Sequence, residues 1–201
     1  MNVLSALSTA RVLAVLRRAG TAAAIADLAD DLRARGVRAI ECTLDQPDAF
    51  DAVAALLEGR RPGEVLGGGT VTTTGQIDAL VAAGADFAVS PHLDEGLLAH
   101  ALDRGFCLIP GVMTPSEIAR ATALGAPAVK LFPAGPLGVR YLSALRGPFP
   151  DVAVVPTGGI AVEDVPAWLH AGALCVGLGA ALTSGDTLPD ALAGIVGGGT
   201  R

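Results

Sequence analysis

The sequence predicts a single-domain α/β fold, a (β/α)8 or TIM barrel, and three observations carry that prediction. Eight short β-type runs alternate with helix-type runs along the whole length. The 201 residues lie close to the lower size limit of such a barrel and leave no room for a second full domain. The chain is 51% apolar but only 3% aromatic. A surplus of Ala, Val and Leu with many Gly suits Val-rich parallel strands packed under Ala-rich helices.

Residues 1–10, "MNVLSALSTA", are read as an amphipathic lead-in helix. The first charge, Arg11, follows the apolar part, whereas a signal peptide would place it before. "VLAVL" at 12–16 is an unbroken apolar run of the buried parallel type. "TAAAIADLADDLRARG" at 21–36 then shows helical spacing and stops at Gly, as a helix C-terminus should. The second strand, "AIECTL" at 39–44, is apolar except for Glu41 and Thr43, which share one face. "EVLGGGTV" at 64–71 precedes the helix "TTTGQIDALVAAG" at 72–84, and "DFAVS" at 86–90 precedes "DEGLLAHALDRG" at 94–105. "CLIPGV" at 107–112 leads to "TPSEIARATALG" at 114–125, and the last strands are "AVKLF" at 128–132, "VAVVPTGGI" at 152–160 and "LCVGLG" at 174–179. Short connections between such units force right-handed crossovers and a parallel sheet. An open doubly wound sheet is the rival, weakened by the lack of a GxGxxG after the first strand. The Gly-rich end, 197–201, is expected to be a flexible tail.

A net charge of −6 and a pI near 4.9 repel phosphate backbones, so no nucleic-acid partner is expected. A small phosphorylated ligand stays open, because backbone N–H groups bind phosphate regardless of the whole-chain charge. Cys42, Cys107 and Cys175 are odd in number and sit in apolar runs, which reads as buried reduced thiols and a cytoplasmic chain. His92, His100 and His170 show no clustered ligand spacing, so neither a metal nor another cofactor is expected. The apolar runs break well short of about 20 residues, and no membrane partner is expected.

In this fold the active site lies at the C-terminal ends of the strands. On "AVKLF", Lys130 and Phe132 share a face, and if that face and the Glu41 face both point inward, an amine and a carboxylate meet in an apolar cup. A lysine snorkelling to solvent is the plain alternative for Lys130, and a structural counter-ion is the plain alternative for Glu41. Two isolated charges in two apolar strands favour a shared site, because each is costly to bury alone. Burial favours the neutral amine, which attacks a ketone and forms a Schiff base, an electron sink for carbon–carbon cleavage. "GGGT" at 67–70 is read as a place where backbone comes close to a ligand. "TGGI" at 157–160 and "GLG" at 177–179 follow strands seven and eight, where barrels build phosphate sites, which points to Gly158, Gly159, Gly177 and Gly179.

Together "GVRAIECTL", "GGGTV", "FAVSP", "LIPGVMTPSE", "VKLFPAG", "VPTGGI" and "VGLGAAL", in this order, resemble the 2-keto-3-deoxy-6-phosphogluconate (KDPG) aldolase family, which includes 4-hydroxy-2-oxoglutarate (KHG) aldolases. The resemblance runs from about Val12 to Leu182. It implies a metal-free class I aldolase, a homotrimer, cleaving KDPG to pyruvate and glyceraldehyde 3-phosphate in the Entner-Doudoroff route. It also implies Lys130 as the Schiff-base lysine, Glu41 as general acid/base, and Arg17, Thr43, Thr70, Pro91, Phe132 and Thr157 as pocket residues. Thr157 leans the reading towards the phosphogluconate substrate over its galactonate epimer. Two positions depart from the family pattern. Asp45 stands where an arginine often clamps the substrate carboxylate, and Ala180 stands where a serine helps hold phosphate. Arg17 is expected to take over the carboxylate. Two rivals stay open: an epimerase- or decarboxylase-like barrel in which Lys130 is only electrostatic, and a non-catalytic binder of sugar-acid phosphates.

Overall fold

The computed structural model describes residues 2–17, 21–46, 48–183 and 189–196. The expected tail at 197–201 lies outside the described residues. Nine strands carry the sheet: β1 Val12–Leu16, β2 Ala39–Thr43, β3 Val65–Gly69, β4 Phe87–Val89, β5 Cys107–Ile109, β6 Gly111–Val112, β7 Val129–Leu131, β8 Val154–Pro156 and β9 Val176–Leu178. All pair in parallel, in two pieces ordered β5-β4-β3-β2-β1-β9 and β6-β7-β8. A single parallel bridge between Thr157 and Gly177 joins β8 to β9. The fold is therefore mixed α/β with a parallel curled sheet in two pieces, where one unbroken eight-strand ladder was expected. The fifth expected strand is split at Pro110, which has no N–H to give to a ladder. Its carbonyl still accepts from the Lys130 N–H at 2.9 Å.

Helices fill the connections: α1 Val3–Ala10, α2 Ala22–Ala34, α3 Ala49–Glu58, α4 Thr74–Ala83, α5 Glu95–Asp103, α6 Pro115–Ala123, α7 Ala134–Leu137, α8 Val139–Leu145, α9 Val165–His170, α10 Ala180–Thr183 and α11 Ala191–Val196. Their starts follow local chemistry. Thr73 and Thr114 each accept from the N–H three residues on, while Gln76 and Glu117 reach back to complete a capping box. Such caps stabilise by about 1 kcal/mol each. The four helices read from the sequence end at Gly36, Gly84, Gly105 and Gly125, which take φ of 92°, 80°, 63° and 89°. That left-handed conformation returns the chain to the sheet and is costly for a residue with a Cβ.

Alternation along the strands divides the core in two. Val12, Ala14, Leu16, Ile40 and Cys42 face outward and pack under the helices. Leu13, Val15, Ala39, Val65, Phe87, Val89, Ile109, Ala128, Val155 and Cys175 face inward into the curl. The lead-in helix α1 closes one end of that interior with Ala6, Leu7 and Ala10, and Leu7 is fully buried. Burying such a leucine stabilises by roughly 1.5–3 kcal/mol. The sequence reading made all three thiols buried. Cys42 and Cys175 are, but Cys107, at the start of β5, is partly exposed; all three are free. Among the described residues no helix is long and apolar enough to cross a membrane.

Candidate active site

The parity that buries Leu13, Val15, Ala39, Ala128 and Val155 inside the curl also sends inward the residues two positions further on. On β2 these are Glu41 and Thr43, on β7 Lys130, and at the ends of β1 and β8 Arg17 and Thr157. Glu41 and Lys130 are 1% and 4% exposed, so an anion and a cation lie in the same apolar interior. The Lys130 Nζ sits 5.0 Å from the centre of the Phe132 ring, on the same strand face. Glu41 Oε1 is buried and has no hydrogen-bond partner among the described residues. Burial raises the Glu41 carboxyl above its usual range; Lys130 and then Arg17 pull it back down, and Asp45 adds to the rise.

A cavity of about 310 Å³ opens onto Lys130. Of the residues singled out in the sequence, Arg17, Lys130, Phe132 and Thr157 line it, together with Gly158, Gly159, Gly177 and Gly179. Ala180 also lines it, in the place noted as a departure. Glu41, Thr43, Thr70 and Pro91 do not. Glu41 lies below the cavity lining, and Thr43 is fully buried with its hydroxyl donating to the Leu16 carbonyl at 3.4 Å. Thr70 reaches the site through Arg17, whose Nη2 donates to its hydroxyl at 2.7 Å. Pro91 is half-buried and its backbone packs closely on Gly111. Arg17 Nη1 meanwhile donates to Asp45 Oδ2 at 2.9 Å, so the cation expected to take over a substrate carboxylate already holds a carboxylate of its own.

The glycines divide by purpose. Gly158 and Gly159 have φ of 90° and 73°, a pair of left-handed residues that turns the chain after β8 along the cavity wall. A Cβ on Gly158 would strike the Phe132 ring. The "GGGT" run makes room for neighbouring side chains. A Cβ on Gly67 would strike Phe87, one on Gly68 would strike Leu80, and one on Gly69 would collide with the Glu41 carboxylate. Gly177 lines the cavity but likewise leaves space for the Thr157 side chain. Val15 and Ile160 line the cavity too and were missed. Val15 was legible, since it lies two positions before Arg17.

Burial pushes the Cys42 and Cys175 thiols up to about 12, which keeps them from acting as nucleophiles near neutral pH. Among the described residues no three His, Cys, Asp or Glu side chains gather to hold a metal.

A sequence profile described as KDPG and KHG aldolase matches residues 3–193. A 2-dehydro-3-deoxy-phosphogluconate aldolase of Pseudoalteromonas atlantica is 42% identical over 134 residues, 66% of this chain and 62% of that relative's own length. A 2-dehydro-3-deoxy-6-phosphogalactonate aldolase of Escherichia coli is 32% identical over 148 residues, 73% of this chain and 72% of the relative. The crystal structure of a KDPG aldolase of Legionella pneumophila, with pyruvate captured as a covalent carbinolamine, is 31% identical. It matches with a TM-score of 0.83 over 98% of this chain and 97% of its own. With a buried amine and carboxylate beneath one cavity, and a profile match over nearly the whole length, the chain belongs to the KDPG and KHG aldolase family, a family of carbon–carbon lyases.

Proposed function

We propose that this chain is a class I aldolase that cleaves KDPG to pyruvate and glyceraldehyde 3-phosphate through a Schiff base on Lys130. The observation that carries the reading is the buried pair itself. Lys130 opens onto the cavity, and Glu41 lies beneath with one carboxylate oxygen left unpartnered among the described residues. Such an oxygen costs stability unless it is reserved for a ligand or a proton.

The neutral Lys130 amine adds to the C2 carbonyl, and Glu41 delivers a proton to the departing hydroxyl so that water leaves and the iminium forms. The Glu41 carboxylate next takes the proton of the C4 hydroxyl. The C3–C4 electron pair moves into the iminium as an enamine, and the aldehyde is released. Glu41 returns the proton to C3; water then adds to the resulting iminium and its proton passes to the Glu41 carboxylate, so that pyruvate and the neutral amine are freed and Glu41 is again the acid. Arg17 and Thr70 receive the keto-acid carboxylate. Phe132 and Thr157 flank the reacting carbons, Thr43 and Pro91 support the wall, and the N–H groups around Gly158, Gly159, Gly177 and Gly179 take the phosphate. The two sheet pieces act as one closed (β/α)8 barrel, joined at the Thr157 to Gly177 bridge and at Pro110. A cytoplasmic homotrimer belongs to the same reading.

A relative named for 6-phosphogalactonate favours a second substrate. Pyruvate release from a panel of the gluconate, galactonate and 4-hydroxy-2-oxoglutarate substrates decides between them. Incubation with pyruvate and borohydride should attach one reduced pyruvyl group per chain at Lys130, located by peptide mapping. An adduct elsewhere, or none, rejects the Schiff-base reading.

A further inference from the structure

Arg17, the residue after β1, is held at the cavity mouth by its neighbours. Its Nη1 donates to Asp45, two residues past β2, at 2.9 Å, and its Nη2 donates to Thr70, directly after β3, at 2.7 Å. Three adjacent strands thus converge on one guanidinium. Thr70 does so at φ 56°, a left-handed conformation that a β-branched residue rarely adopts. Strain of that kind persists only where the surroundings hold it in place.

Arg17 and Lys130 are the cations among the residues lining the cavity, and only Arg17 is charged throughout the reaction. Against them stand Glu41 below and Asp45 beside, both close enough to bear on the same electrostatics. The formal charges cancel. A keto acid brings its carboxylate to a guanidinium that already binds a carboxylate, with one proton of each Nη committed.

We propose that Asp45 is a specificity-determining residue: it acts as an internal carboxylate ligand of Arg17, competes with the carboxylate of the substrate, and weakens the cavity's hold on keto-acid anions. The identity of the competing anion rests on the aldolase reading; the competition itself rests on the Arg17–Asp45 contact. Asp45 acts through Arg17 without lining the cavity, so its effect falls on binding and not on the bond-breaking step.

Asp45→Asn tests this, because it keeps the side chain's shape and an oxygen for Arg17 while removing the charge. Oxalate, a small dianion without a ketone, reports the cation by calorimetry whether or not Lys130 forms a Schiff base. Pyruvate half-saturation in borohydride trapping reports the keto acid. Both constants should fall by about three- to tenfold, the size expected for removing one like charge at a partly solvated site. Their dependence on salt should steepen. Asp48→Asn, which neutralises an exposed carboxylate that caps nothing, should change them less than about twofold. Unchanged or weaker binding in Asp45→Asn overturns the proposal, as does an equal gain in Asp48→Asn, or oxalate that binds neither parent nor variant. If the parent resists labelling at Lys130 while oxalate still tightens in Asp45→Asn, the aldolase reading fails and this inference stands. If labelling succeeds without that tightening, the inference fails alone.

Discussion

Among the described residues two pairs of opposite charge are buried, and they are built in opposite ways. Between α2, α3 and the approach to β3, the Arg33 Nε donates to Glu64 Oε1 at 3.0 Å and its Nη2 to Oε2 at 3.2 Å. The Arg61 N–H adds a bond of 2.9 Å to the same carboxylate, and Arg33 also reaches Asp30 and the Leu56 carbonyl. Every side-chain nitrogen of Arg33 and both carboxylate oxygens of Glu64 have a partner. Inside the curl, Glu41 and Lys130 are as deeply buried, yet Glu41 Oε1 has no partner among the described residues and the lysine opens onto a cavity. Burial alone therefore does not mark a site. What separates the two is whether the desolvated groups have all their hydrogen bonds.

Removing the lysine should give the largest separation. Lys130→Met is expected to lower turnover by on the order of 10⁴ or more and abolish borohydride trapping, because the nucleophile is gone. Its melting temperature should fall as well, since Glu41 is left buried without the cation that most lowers its carboxyl. A variant that keeps trapping would place the nucleophile elsewhere.

Glu41→Gln should come next. Its kcat should fall by about 10² to 10⁴, the range for a positioned general acid/base, while labelling of Lys130 slows but persists. Retained kcat together with lost stability would make Glu41 a counter-ion of the Glu64 kind.

Arg33→Met is expected to reverse the pattern. It strands Glu64 without its guanidinium and should cost about 3–5 kcal/mol in urea unfolding, with kcat per folded molecule unchanged. A kinetic defect in folded Arg33→Met would collapse the distinction between the pairs.

The smallest effect is the pH dependence of stability. The folded state holds the Glu41 proton more tightly than the unfolded chain does, because burial raises its carboxyl above the ordinary 4.5. The stability this contributes is full below that ordinary value and is lost as pH rises through the raised one. Glu41→Gln escapes the loss. Its urea midpoint relative to the parent should therefore improve as pH rises from about 4 towards neutrality, and a difference that stays flat would count against the raised carboxyl.

Much of this site was legible because period 2 along a strand is so regular. "AIECT" and "AVKLF" put Glu41 and Lys130 on the face of Ala39 and Ala128, and the structure keeps both inside. The helix starts at Thr73 and Thr114 were written locally as well, in caps that need only three residues. Contacts set by curvature were not legible. Arg17 and Asp45 stand 28 positions apart with no sign in the sequence that the two meet, and only the register of β1 against β2 brings them together. The Gly67 to Gly69 run is a related case. From sequence a missing side chain looks like space for a ligand, but a Cβ there would also meet Phe87 and Glu41 from neighbouring strands and Leu80 from α4. The Arg33–Glu64 pair was missed outright, since each residue taken singly resembles an ordinary surface charge.

The plug formed by α1 has a consequence for the order of events. With Leu7 and its neighbours packed into one end of the curl, the cavity onto which Lys130 opens lies at the other end of the strands among the described residues. On the aldolase reading proposed above, the keto-acid half stays bonded to Lys130 after cleavage, while the aldehyde half stands nearer the solvent. The water that frees the lysine can arrive only once the aldehyde has gone. That reading therefore orders departure by depth, aldehyde before keto acid, and loads the reverse reaction in the opposite order.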